Sequence, residues 1–226
     1  MAAIDKSLYE KFIIESVDGS KTVDISAGVV SFNYFENLYS PMITARAVVV
    51  NTGNTVRGDD GKMQSLYNGF PLRGGERVVI KIAGNTRTNK GLDFSDSPSK
   101  YLYVGSITNV LVTSGKETFT LNLVSREAIT NETVRVGKRF PSSQKISDSV
   151  DDICKNYLST NKLYDVDETQ NPYGFIGNMK KPFTLMTWLA SKSVPASASK
   201  EDATAGYFFF ETQKGFRFKS IDQLID

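Results

Sequence analysis

Histidine does not occur anywhere in these 226 residues. Its absence removes the commonest general base near neutral pH, and with it Ser-His-Asp and Cys-His nucleophile systems and every zinc site that needs imidazole. Cysteine occurs once, as Cys154, so neither an intrachain disulfide nor a thiolate cluster can form. That suits assembly in a reducing compartment. No apolar run reaches the roughly 20 residues that span a bilayer, and residues 1–10 lack the basic start and apolar centre of a signal peptide. The expectation is a chain assembled in the cytoplasm. Charge of one sign is missing as well. The 27 basic residues nearly cancel the 25 acidic ones, and cutting after Ser125 leaves 13 basic and 12 acidic residues before the cut and 14 and 13 after it. Neither half is therefore a charged tail that would be steered to nucleic acid.

What is present is apolar and aromatic. Hydrophobic residues make up 40% of the chain, with 14 Phe and 10 Tyr, enough to build one sizeable core or two small ones and still supply subunit contacts. The first half reads as short strands separated by turn signals. Val23 and Ile25 alternate with polar residues after Asp18-Gly19-Ser20, and Val30, Phe32 and Tyr34 share one face. Ala45, Ala47 and Val49 alternate with Arg46, Val48 and Val50, so that Val48 and Val50 point to a second buried face or a subunit contact. Val78, Ile80 and Ile82 repeat the period, as do Phe119, Leu121 and Leu123, while residues 101–112 form a long strand interrupted near Gly105. Many strands with little helix between them predict a closed or nearly closed antiparallel β-barrel over residues 1–125.

The pattern changes in residues 126–226, which are expected to form a small α+β domain. Ile146, Val150, Ile153, Cys154 and Leu158 fall on one helical stripe, and residues 182–193 form a second helix opened by Pro182. Residues 206–210 and 216–218 make a hairpin with Phe208, Phe210, Phe216 and Phe218 on its faces, candidates for a partner contact as much as for a core. Residues 165–177 and 196–205 read as polar connections.

No catalytic, cofactor-binding or metal-ligating residue emerges. Asp165, Asp167 and Glu168 lack the central Gly and terminal Glu of a calcium loop. Gly61-Lys62 lacks the earlier Gly and following Ser or Thr of a phosphate loop. A few Asp and Glu residues in loops, Glu127 and Glu132 among them, are the only motive for a cell-wall hydrolase, and the aromatic β half the only one for a carbohydrate-binding module. Cys154 and Trp188 lie among helical apolar neighbours and read as core.

The order of segments resembles the N-terminal part of the central hub protein of contractile, T4-like phage baseplates. The residues that carry this are Glu36-Asn37-Leu38-Tyr39-Ser40-Pro41 within 22–52, then Leu72-Arg73-Gly74-Gly75-Glu76-Arg77-Val78-Val79-Ile80-Lys81, then 103–110 and 118–126. The junction Val134-Arg135-Val136-Gly137-Lys138-Arg139-Phe140-Pro141, followed by the helix from Ile146, continues it. The resemblance implies a tail-tube-like barrel followed by a small α/β hub domain. It also implies a homotrimer in the virion baseplate, seated between the central spike and the tail tube or its initiator, through which tape-measure protein and DNA pass. A tube initiator or tube-like adaptor is the alternative. Hubs of this family carry two barrels per chain and only one is recognisable here, so a second would lie beyond Asp226 or in another protein.

Overall fold

The computed structural model describes residues 7–58, 60–70, 72–86, 88–160, 162–196 and 206–225. Two units make up the chain: the described residues up to Phe35 together with Thr44–Arg126, and Glu36–Ile43 together with the described residues from Glu127 onward.

In the first unit the period-two segments become β1 (Leu8–Glu15), β2 (Thr22–Asp24), β3 (Val29–Phe35) and β4 (Thr44–Thr52). A small hairpin, β5 (Val56–Arg57) and β6 (Met63–Gln64), and the single turn of α1 (Leu66–Gly69) precede β7 (Arg77–Ala83), β8 (Leu92–Asp93), β9 (Leu102–Thr113) and β10 (Lys116–Ser125). The main sheet runs in the order β2-β1-β7-β9-β10-β4-β3, with β8 added beside β7, and its ladders are antiparallel. Alternation places Phe12 and Ile14, Ala45, Ala47 and Val49, Val78 and Ile80, and Phe119, Leu121 and Leu123 in the core. Each large side chain buried this way contributes about 1.5–3 kcal/mol relative to exposure.

The closed barrel expected from the sequence is not formed. Among the described residues no ladder joins the edge strands β2 and β3. Where a closing ladder would be needed, the chain makes a 3-10 turn, Ser26–Gly28, whose backbone is satisfied locally: Gly28 N–H donates to Ile25 O and Ile25 N–H to Phe12 O, both at 2.8 Å. Gly28 also lies so close to β4 that a Cβ on it would stand 2.7 Å from the Val50 carbonyl oxygen. The result is a mixed α/β fold of several open sheets.

The expected interruption at Gly105 is a bulge within a continuous strand. Val104 faces Leu123 and Ser106 faces Asn122, leaving Gly105 as the extra residue. A second irregularity follows where Thr108 and Leu111 face Thr120 and Thr118, and there Asn109 takes a positive φ of 53°.

The second unit opens with α2 (Arg126–Thr133), β11 (Arg139–Phe140) and α3 (Ile146–Asn156), and continues through β12 (Leu163–Val166), β13 (Phe175–Ile176), α4 (Pro182–Ala190), β14 (Tyr207–Thr212), β15 (Gly215–Ser220) and α5 (Asp222–Ile225). Its main sheet has β15 in the centre, parallel to β12 and antiparallel to β14. β12 runs into the stretch read as a polar connection, and 197–205, nearly all of the other such stretch, lie outside the described residues. Ile146, Val150, Ile153 and Cys154 are fully buried along one side of α3. Asn131 of α2 caps α4, its Oδ1 accepting the Phe183 N–H at 2.8 Å, since Lys181 before the helix offers no side-chain acceptor.

Candidate interaction surfaces

The outer face of the β3-β4-β10-β9 segment is built from three cross-strand rows. Ser31, Val48, Thr120 and Thr108 stand opposite one another in the first, Asn33, Arg46, Asn122 and Ser106 in the second, and Val50, Thr118 and Leu111 in the third. Asn122 Nδ2 donates to both Ser106 Oγ and Thr108 Oγ1 at 3.1 Å, which pins these short side chains flat. Of these residues only Arg46 is charged. Val48 and Val50 are half-buried within this belt, and Leu111 is 63% exposed. The alternation in the sequence points to Val48 and Val50; the hydroxyl and amide rows around them depend on strand register and are not visible in it.

The four hairpin phenylalanines separate by face. Phe216 and Phe218 are fully buried, and Phe216 stacks on Phe209 at 5.4 Å while Phe183 of α4 meets both rings at about 6 Å. Phe210 is also buried. Phe208 is half-buried and meets Tyr39 edge-on at 5.4 Å, with Tyr39 itself 81% exposed. The 36–43 segment is tied to this hairpin by two further bonds: Gln213 N–H to Glu36 Oε1 at 2.7 Å and Ile43 N–H to Glu211 Oε2 at 3.2 Å.

The carboxylates considered for chemistry are held in ion pairs. Glu127 Oε2 lies 2.8 Å from Lys162 Nζ, which also stands 3.6 Å from Glu211 Oε1. Burial pushes the Glu127 carboxyl up, but the charge and hydrogen bond of Lys162 outweigh it and the net shift is downward. Glu132 pairs with Lys181 and Glu168 with Lys145, while Asp165 and Asp167 flank Lys219 at 3.1 and 2.6 Å. Among the described residues no group of His, Cys, Asp and Glu could hold a metal ion, and no helix is long and apolar enough to cross a membrane. No catalytic constellation is present among them.

Trp188 meets Tyr173 and Phe175 edge-on at 5.6 and 5.8 Å. Cys154 is fully buried, its Sγ 3.6 Å from Met186 Sδ, and burial first, then Asp151 and Glu127, push its thiol up to about 12. A thiol that is both unionised and inaccessible should react with a disulfide reagent only as fast as the unit opens. Colour development in native buffer is therefore expected to be negligible over minutes and complete in denaturant; prompt reaction in native buffer would contradict the burial.

No protein-family model and no curated protein matches the sequence. Solved structures share the fold. The 43 kDa tail protein of prophage MuSo2 from Shewanella oneidensis aligns with a TM-score of 0.54 at 14% identity, over 93% of this chain and 54% of that one. The tail protein from Neisseria meningitidis MC58 gives 0.52 at 10% identity, over 92% and 50%. An E. coli component of the type VI secretion system, itself structurally similar to T4 bacteriophage tail proteins, gives 0.52 at 9% identity, over 95% and 48%. The chain thus spans about half the length of each of these proteins. At such identities the likeness is one of fold, shared with phage-tail and type VI secretion proteins.

Proposed function

We propose that this chain is a structural subunit of a contractile-tail baseplate or a related secretion apparatus, made to be assembled rather than to turn over a substrate. The observation that carries this reading is the fold likeness to two tail proteins and a secretion component, which extends over 92–95% of the chain. The nearly uncharged belt through Val48, Val50 and Leu111 supports it, because the buried centres of protein interfaces are depleted in charge.

The finer form of the proposal is a hub: a homotrimeric ring between the central spike and the tail tube or its initiator, with a lumen through which tape-measure protein and DNA pass. Near neutrality is compatible with that passage, since a strongly positive wall would retain DNA. Val48, Val50 and Phe208 are the proposed contacts. Phe210, Phe216 and Phe218, buried within the chain, would act by holding the Phe208 strand in place.

Electron-microscopy reconstruction of the native particle tests this. A closed trimer with the spike on one side and the tube on the other is expected. A hexamer continuous with the tube rings would make the chain a tube initiator or adaptor instead, and a monomer without axial partners would end both readings.

A further inference from the structure

Period-two alternation sets residue 117 of β10 on the same face as Phe119, Leu121 and Leu123, all of them fully buried. A carboxylate therefore stands where the strand otherwise carries apolar side chains, and Glu117 is only 1% exposed. One of its oxygens is satisfied: Oε1 accepts from Asn51 Nδ2 at 2.9 Å and from the Tyr67 N–H at 3.0 Å. Oε2 is buried with no hydrogen-bond partner among the described residues, and so is the hydroxyl of Ser65. Glu117 and Ser65 line one cleft, framed by Gly53 and Asn54 after β4, Met63 and Gln64 of β6, and the β9–β10 turn at Gly115.

A buried carboxylate oxygen left unpaired costs more than an ordinary hydrogen bond gains, so this geometry calls for a donor from outside. An anionic oxygen and a hydroxyl lining the same cleft suit a cation that carries several N–H groups. The cleft has one carboxylate, too little anionic oxygen for a dedicated divalent-ion cage. Lys116, the basic residue on its rim, is exposed and makes no ion pair with Glu117. The rim mixes polar groups with exposed apolar ones: Met63 is 54% exposed and Val112 51%. A small free ligand would leave these side chains wet, whereas a protein surface would cover them.

We propose that the cleft receives an arginine or lysine side chain from a neighbouring subunit, its cationic group closing on Glu117 Oε2 and Ser65 Oγ while the subunit's surface covers Met63 and Val112. The identity of the occupant rests on the assembly reading above; the preference of the cleft for a cation does not.

Two measurements on the full chain test it. In the first, backbone amide NMR follows titration with N-acetyl-arginine amide and with its neutral isostere, N-acetyl-citrulline amide. The arginine compound is expected to shift the amides of Gly53, Ser65 and Gly115 saturably, and to bind on the order of ten-fold more tightly than citrulline amide does, and than it binds itself to a Glu117→Gln variant. Equal binding of the citrulline compound, undiminished binding to the variant, or no response to arginine would each overturn the cation-binding cleft. Unchanged shifts at first-unit amides away from the cleft, such as those of Phe12, Ile14 and Val78, check that the variant is folded. In the second, Glu117→Gln is expected to weaken subunit association by a similar factor. Unchanged association would remove the neighbouring subunit from the cleft and leave the assembly reading standing. A wild-type chain that enters no assembly, with the titration still positive, would overturn the partner but not the cation-binding cleft.

Discussion

Lys162→Met is expected to lower the unfolding free energy of the second unit by about 3–5 kcal/mol, the usual cost of removing one partner from a buried ion pair. Lys162 stands between two carboxylates, Glu127 and Glu211, that are 0% and 1% exposed, and is itself only 11% exposed. Without the ammonium group both anions remain desolvated, and the N–H of Ile43 at Glu211 Oε2 cannot replace a charge. The pH dependence identifies the cause. In the wild type the Glu127 carboxyl is held below its ordinary value of 4.5. Its contribution is therefore present in full above that value and is lost as pH falls through the lower, folded one. In the variant burial is opposed only by the hydrogen bonds from Thr160 and the backbone, the folded carboxyl moves upward, and acid relieves the penalty. Urea midpoints at about pH 7 and about pH 4 should show the gap between wild type and variant narrowing in acid. An equal gap at both would mean that the lysine matters through its packed methylenes and not its charge.

Phe216→Ala should cost a similar amount, about 3–5 kcal/mol, as expected for a large cavity opened in a packed core. The ring is fully buried in the central strand β15, lies nearly parallel to Phe209 at 5.4 Å with 8° between their planes, and meets Phe183 at 5.9 Å. The effect belongs to the isolated chain, so it should appear in urea unfolding at high dilution. Phe208→Ala at the same dilution should cost only about 1 kcal/mol, the scale of one aromatic pair, because that ring is half open to solvent and packs on exposed Tyr39. If Phe216→Ala left the dilute chain intact and impaired only its assembly, the residue would be an interface side chain after all.

These two phenylalanines show what a sequence can and cannot disclose. The run around Tyr207 and the glycine turn at Gly215 are enough to identify a hairpin, but not which side meets a helix; that depends on Phe183 arriving from α4, some 30 residues earlier. The alternations of β4, β7 and β10 and the stripe of α3 are legible because one face of each element is buried and periodicity reports that directly. α2 is not legible. Its sequence, Arg-Glu-Ala-Ile-Thr-Asn-Glu-Thr, has no apolar stripe, and it is held by tertiary bonds from Glu127 to Lys162 and from Asn131 to α4. β12 is obscured in the same way, as a short strand with acidic and aromatic residues that becomes regular only by pairing in parallel with β15. Barrel closure depends on whether the two outermost strands pair, and no periodicity within a strand reports on that. At Glu117 the alternation marks a core-facing position correctly while the residue type conceals it, so the candidate cleft was missed.

The 36–43 segment gives the chain a timetable. It is made early, yet the groups that hold it, Phe208, Glu211 and Gln213, follow much later along the chain: Ile43 binds a residue 168 positions later and Glu36 one 177 positions later. At a translation rate of about 5–20 residues per second, the segment waits on the order of 10–35 s for its partners. Over that interval Leu38 and Tyr39, which remain 42% and 81% exposed even in the finished fold, have no hairpin to dock on. A ribosome stalled before Tyr207 would therefore display a first unit interrupted by a loose loop, and protease cutting within 36–43 should disappear only when β14 and β15 have emerged.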